Sequence, residues 1–185
     1  GLAAGGRAAE AAAEARFLLS EFALKSYERI DFAVPARRLK RTLETKAKSL
    51  KKMEDQYKRV FGYKRVQWSL AAYYRMGYLY ENFATVLMTA PCPRGLNQEE
   101  CDIYKGELEM YAEKPIRKAV EAYALTLEKA KAFKAINDWT RSARKSLNRY
   151  EPLKYPLQKK PAAALVVDRY EPQPLQQVVE SGMKP

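Results

Sequence analysis

The residue that most restricts the fold of this chain is Gly77, which lies inside the helical stretch 72–84 (AYYRMGYLYENFA). A glycine in a helix interior costs about 1 kcal/mol relative to alanine. Its missing side chain is useful where a second helix must approach the backbone closely. The stretch therefore predicts tight packing of one helix against another.

Apolar residues recur every three or four positions through most of the chain, which is the spacing of one face of a helix. We predict helices over residues 7–30, 36–61, 64–89, 98–132 and 137–149, with no strand pattern between them. Small and aromatic residues share the inner faces, as at Ala119, Tyr123, Trp139 and Ala143. The expected fold is all-α, built from antiparallel helices.

The first three helices each carry one apolar stripe that we expect to be buried. The stripe of the first helix is Ala8, Ala11, Ala15, Leu18, Leu19, Phe22 and Tyr27. The stripe of the second is Leu39, Leu43, Ala47, Leu50, Met53, Tyr57 and Val60. The stripe of the third is Val66, Leu70, Tyr73, Gly77, Tyr80, Ala84 and Leu87.

Helix ends are indicated by residues of special backbone preference. Gly62 is placed to end the second helix in a left-handed turn. Asn97 and Glu100 have the spacing of a capping box, which predicts a helix start near residue 98. Pro115 cannot donate a backbone hydrogen bond, so we expect a kink or break near Glu113.

The composition divides the chain into a flexible lead over residues 1–6, a helical domain over 7–150 and a Pro-rich tail over 151–185. Six of the ten prolines follow residue 151, and such a tail is expected to be extended. Within it, residues 162–167 (AAALVV) either pack on their own domain or bind a partner. Because the chain begins Gly-Leu-Ala, we expect a fragment or a processed product. No stretch reaches the roughly 18 apolar residues of a transmembrane helix.

Histidine is absent from the 185 residues, which excludes Ser-His and Cys-His nucleophile pairs and His-ligated metals. Two cysteines cannot complete a zinc site without carboxylates. Acidic residues at helical spacing (Asp102, Glu107, Glu109 and Glu113) have no nucleophile or phosphate cradle nearby in the sequence, and a solvated face explains them. We expect no enzyme activity and no cofactor.

Positive charge is concentrated in the second helix. The net charge is +12, and residues 36–65 hold twelve Lys and Arg against three Asp and Glu. One stripe consists of Arg37, Arg41, Lys48, Lys52 and Arg59. It is either a solvated helix face or a surface for polyanions, whether nucleic acid, an anionic envelope polymer or lipid at a membrane surface. Nucleic acid is disfavoured because neither an aromatic RNA platform nor helix-turn-helix spacing is present.

The helical pattern resembles tetratricopeptide repeats, which are stacked helical hairpins. Gly77 with Tyr80 is similar to the first helix of a repeat, and Ala119, Tyr123 and Thr126 to the second; Trp139 and Ala143 are similar to the start of the next repeat. Residues 88–113 form an extra segment between the matched helices.

The runs APCPRGLNQEECDIYKGELEMYAEKPIRKAVEAYALTLEKA and INDWTRSARKSLNRYEP are similar to the C-terminal region of repeat proteins from the deltaproteobacterial cell envelope. That group includes the tetratricopeptide proteins of myxobacterial adventurous gliding motility. The resemblance implies a periplasmic or outer-membrane-associated, non-catalytic scaffold in an envelope complex. It also favours a disulfide between Cys92 and Cys101, the alternative being two buried thiols.

By the family pattern, a stack of hairpins holds a protein or peptide on its concave side. The groove-facing positions implied by the resemblance are Tyr74, Tyr78, Glu81, Asn82, Thr140, Arg144 and Asn148. Tyrosines are suitable anchors because they bury a large area at little entropic cost. The alternative is that Tyr74 and Tyr78 pack inside their own domain.

Overall fold

A computed structural model describes residues 6–157; residues 1–5 and 158–185 lie outside the described part. The helices are α1 (Arg7–Glu28), α2 (Ala36–Lys58), α3 (Val66–Met88), α4 (Gln98–Ala132) and α5 (Asp138–Tyr150), with a 3₁₀ helix (Arg59–Tyr63) after α2. Residues 6–157 contain no strand. The all-α prediction is confirmed, and each predicted helix is present.

Helix α3 is the central element of the structure. It packs against α1, α2, α4, α5 and the 3₁₀ helix, so its side chains contribute to the core on all sides. The stripe predicted for α3 is confirmed at Leu70, Gly77, Ala84 and Leu87, all of which are buried. A helix surrounded by neighbours must be apolar over most of its circumference, as α3 is.

Two asparagine caps fix where α4 and α5 begin. The Asn97 side chain accepts a hydrogen bond from the Glu100 backbone amide, and the Glu100 carboxylate accepts one from the Asn97 backbone amide, each 2.9 Å long. This confirms the predicted capping box, which satisfies two otherwise unpaired amides. Asn137 and Thr140 form a second reciprocal box at the start of α5, which the sequence analysis did not identify.

Helix α1 buries a different face from the predicted one. Its buried residues are Ala9, Ala13, Phe17, Ser20, Leu24 and Tyr27, so only Tyr27 of the predicted stripe is correct. Leu18, Leu19 and Phe22 are 47%, 60% and 66% exposed. The prediction was wrong because α1 is apolar on two opposite faces, and periodicity alone does not choose between them.

Two predicted backbone features differ from the structure. The left-handed residue after α2 is Lys64, with φ of 54°, and not Gly62, because the 3₁₀ helix carries the chain two residues further before it turns. Helix α4 continues through Pro115 without a break. Ala112 before the proline and Ala119 after it are both buried, so α4 is packed on each side of a residue that costs a helix interior roughly 3 kcal/mol.

None of the helices within residues 6–157 combines the length and apolar character that crossing a bilayer requires. The lead predicted over residues 1–6 lies almost wholly outside the described part. Of the predicted tail, residues 151–157 are described and include a turn over residues 152–154. The segment 162–167 lies outside the described residues.

Candidate functional site

The two tyrosines predicted to line a groove on α3 are both half-buried, and Tyr74 lies in an aromatic cluster. The ring of Tyr74 lies 5.4 Å from that of Tyr123 and 5.6 Å from that of Trp139. The Tyr78 hydroxyl donates a hydrogen bond of 2.6 Å to Glu28 on α1. These contacts correspond to the internal-packing alternative for both tyrosines.

Arg75 lies at the centre of this cluster and is held by charge and by aromatic rings. Its guanidinium donates to Glu21 of α1 at 2.5 Å and lies 5.2 Å from the Trp139 ring centre. Glu21 also accepts a hydrogen bond of 2.5 Å from the Tyr57 hydroxyl. Burial, together with this carboxylate, raises the pKa of Tyr57. Burial acts to lower the pKa of Arg75, but the Glu21 carboxylate together with Tyr57 and Tyr74 outweighs burial, so the pKa is raised.

Glu81 is a second carboxylate whose oxygens are occupied within the chain. It accepts hydrogen bonds from the hydroxyls of Tyr123 (2.6 Å) and Tyr150 (2.9 Å) and from Arg149 (2.6 Å). Its side chain is only 13% exposed. Burial, and then the Glu81 carboxylate, raises the pKa of Tyr150 to about 12. Glu81 therefore joins α3, α4 and α5.

Of the four remaining predicted groove positions, Thr140 and Asn148 are engaged within the chain. Asn82 carries a buried Oδ1 with no hydrogen-bond donor among the described residues. Thr140 is buried in the capping box of α5, and Asn148 donates to the Tyr155 carbonyl at 3.0 Å. Arg144 is exposed. Partner binding through these seven positions stays a prediction, and their internal contacts oppose it.

A surface that the sequence analysis placed in the core is instead open to solvent. We call it the outer face of α1; it consists of Ala11, Ala15, Leu18, Leu19 and Phe22, all exposed. These positions lie on one side of the helix, opposite the buried residues. The signal in the sequence was the excess of apolar residues in α1, which fills more than one stripe.

All five residues of the predicted basic stripe are exposed. Three of them, Lys48, Lys52 and Arg59, line a shallow depression together with Lys51, Asp55 and Gln56. We call these six residues the basic face. Arg37 and Arg41 lie nearer the N-terminal end of α2. At a rise of 1.5 Å per residue, Arg41 is about 10 Å from Lys48 along the helix.

Lys46, in contrast, contributes nothing to the surface charge because it is fully buried. Its ammonium group donates to the carbonyls of Ile30 (2.7 Å) and Tyr27 (3.3 Å) at the end of α1 and lies 4.3 Å from the Tyr27 ring centre. Burial lowers its pKa to about 8. Lys46 occupies the core position that we predicted for Ala47, which is exposed. Its spacing from Leu43 and Leu50 was the available signal.

Cys92 and Cys101 lie at disulfide-bonding distance, with Cα atoms 5.7 Å apart. That separation is within the usual range for a disulfide. The pair joins the loop after α3 to the first turn of α4. Its geometry is compatible with the predicted bridge.

Within residues 6–157 no group of three or more His, Cys, Asp or Glu side chains is arranged to hold a metal ion. No protein-family model, curated protein or solved structure matches the chain. The surfaces described above therefore supply the argument for function.

Proposed function

We propose that this chain is a non-catalytic scaffold for protein–protein interaction, whose helical hairpins stack as in tetratricopeptide repeats. The outer face of α1 then receives an apolar-faced helix of a partner protein. The observation that carries the proposal is that α1 is apolar on two opposite faces, one of them exposed. The resemblance noted above suggests a periplasmic or outer-membrane-associated complex, such as gliding-motility machinery.

The energetic argument starts from the three large side chains of the outer face. Burying a leucine or phenylalanine side chain contributes about 1.5–3 kcal/mol, and Leu18, Leu19 and Phe22 forgo much of this in the isolated chain. A helical hairpin in a stack buries its apolar face only against a neighbour. An end helix with an apolar outer face is therefore suited to receive a further helix.

The shape of the outer face favours a helix as the occupant. Ala11 and Ala15 lie toward the N-terminal end of α1, and the larger Leu18, Leu19 and Phe22 toward its C-terminal end. A partner helix approaches closely over the alanines and packs its own small residues against the larger side chains, as ridges into grooves.

The test compares capture of partner proteins from crosslinked cells by the unaltered chain and by the double variant Leu19→Lys, Phe22→Lys. Ile103→Lys on α4 is the matched control, because Ile103 is also exposed, at 61%. We expect the double variant to lose a protein that the unaltered chain and the control both retain. Retention of every captured protein by the double variant contradicts the proposal.

A second candidate function is polyanion binding by the basic face, and the observation that favours it is the clustering of Lys48, Lys51, Lys52 and Arg59 around one depression. Phosphate contacts release counterions, so such binding weakens steeply between about 50 and 200 mM salt. Binding to an apolar helix face changes little over that range.

Vesicles of anionic phospholipid and single-stranded nucleic acid are the probes for this candidate. We expect Lys48→Ala, Lys52→Ala to reduce salt-sensitive binding, and Arg37→Ala, Arg41→Ala to reduce it less because these residues lie outside the depression. Equal loss in the two double variants removes the reason for assigning binding to the basic face.

A further inference from the structure

Helix α4 presents an open apolar groove beside the end of α5. Its floor consists of Ile116, Val120 and Ala124, spaced four residues apart on one side of the helix, and Tyr155 closes one side. All four side chains are half-buried. The groove is thus apolar along its length and covered by nothing within residues 6–157.

The rim of this groove is charged, with three carboxylates among its residues. Glu113 and Glu121 are exposed on α4, and Glu151 pairs with Lys154 at 3.0 Å. Arg117 is the remaining charged residue of the rim. An apolar segment preceded by basic residues complements this arrangement.

The chain leaves the described part next to the groove. The Tyr155 amide donates to the Glu151 carbonyl at 3.0 Å, and its carbonyl accepts from Asn148 at 3.0 Å, so the backbone at residue 155 is held against α5. The described residues end two positions later, at Leu157. The rest of the chain, residues 158–185, is joined to a backbone that is fixed only two residues earlier, at Tyr155.

We propose that residues 162–167 (AAALVV) occupy the groove of this same chain, with Lys159 and Lys160 against the Glu113 carboxylate at one end of the rim. Residues 158–161 span up to about 14 Å when extended, and the floor from Ile116 to Ala124 is about 12 Å long. The segment is therefore within reach of the whole floor.

The residue types fit the groove along its length. Alanines 162–164 are small enough to lie close to Ile116, and Leu165, Val166 and Val167 supply apolar area for Val120 and Ala124. Burial of that area is favourable in proportion to its extent. This contact lies on α4, away from the outer face of α1, so it stands or fails independently of the proposed function.

The test places the photo-crosslinking residue p-benzoylphenylalanine at Leu165 in the full chain, with the same residue at Leu175 as the matched control. After irradiation at low protein concentration, tryptic peptides are mapped by mass spectrometry. We expect the probe at 165 to attach to residues 119–129, which contain Val120 and Ala124. The control should give several-fold less of this product.

Two further variants separate the parts of the proposal. Lys159→Glu, Lys160→Glu should lower the yield of the 119–129 product several-fold, since the charges then repel the rim. Val120→Asp should lower it likewise while circular dichroism stays helical. Attachment of the probe at 165 to α1, to a second copy of the chain, or equally from positions 165 and 175 overturns the proposal.

Discussion

The ring of Tyr123 on α4 packs directly against the backbone of Gly77 on α3. A Cβ atom built at Gly77 would lie 2.7 Å from both Cδ1 and Cε1 of that ring. Tyr123 is fully buried and its hydroxyl is bonded to Glu81, so the ring has no room to withdraw. The distance between α3 and α4 thus depends on the absence of a side chain at position 77.

Replacing Gly77 by alanine should destabilise the protein even though alanine is the better helix former. The propensity gain is about 1 kcal/mol, whereas overpacking a filled core costs about 1–3 kcal/mol. We expect a net loss of about 1 kcal/mol in the free energy of unfolding, measured by urea denaturation.

Gly106→Ala is the matched control for this substitution. Gly106 also lies inside α4 but has nothing within 4 Å of a built Cβ, so only the propensity gain remains. We expect stabilisation by about 0.5–1 kcal/mol. If both variants change stability in the same direction, close packing against Tyr123 does not determine the effect of Gly77→Ala on stability.

Replacing Glu81 by glutamine should weaken the junction of α3, α4 and α5. The carboxylate accepts hydrogen bonds from Tyr123, Tyr150 and Arg149, and the amide offers one acceptor and no charge. We expect a loss of about 1–3 kcal/mol in urea denaturation. Tyr150→Phe, which removes one of the three bonds, should cost less; a larger cost for Tyr150→Phe contradicts this account.

The buried Lys46 should make stability rise with pH between about 8 and 10. Its pKa falls from 10.5 in the unfolded chain to about 8 in the folded one, so over this interval the unfolded state binds more protons. Stability then increases with pH, by up to about 3 kcal/mol at 1.36 kcal/mol per pKa unit. The contribution is lost as the pH falls through 8.

Lys46→Met is the variant that tests this pH dependence, because it keeps the apolar stem without the titrating amine. Between pH 8 and 10 the urea midpoint of the parent should rise relative to that of the variant, because the buried tyrosines affect both proteins equally. Above pH 10 both proteins should lose stability, because burial raises the pKa of Tyr78 to about 12 and the unfolded chain then releases protons first. If the urea midpoint of the variant rises with pH as much as that of the parent, a group other than Lys46 causes the pH dependence.

Reduction of the Cys92–Cys101 pair should lower stability. The bridge closes a short loop of about ten residues, for which chain entropy gives about 2–3 kcal/mol. Dithiothreitol should lower the urea midpoint of the parent protein and leave that of Cys92→Ser, Cys101→Ser unchanged. Equal midpoints for the oxidised parent and the double variant would show that the bridge does not stabilise the fold.

The helical pattern, the cap at Asn97 and the packing role of Gly77 could all be predicted from the sequence, because each depends on a local spacing or on a backbone preference. The buried face of α1 could not, since Phe22 and Leu24 belong to two apolar stripes on opposite sides of the helix and only the stripe of Leu24 is buried. Lys46 was missed as a core residue because its charge is matched by carbonyls at the end of α1, which are distant along the chain.

For the seven predicted groove positions, too, contacts between helices could not be predicted from the sequence. Their assignment to a groove came from the resemblance to tetratricopeptide repeats, and the sequence did not reveal that Tyr78 donates to Glu28 or that Glu81 accepts from three donors. These are contacts between helices.

By itself, the sequence determined that the chain is helical, where most of its helices begin and end, and that a glycine lets two of them approach. Hydrogen bonding within a helix is local and leaves its signature in neighbouring residues. Only the tertiary structure decided which side of α1 is covered and which carboxylates are occupied. Those outcomes depend on how much apolar area and how many donors the other helices supply.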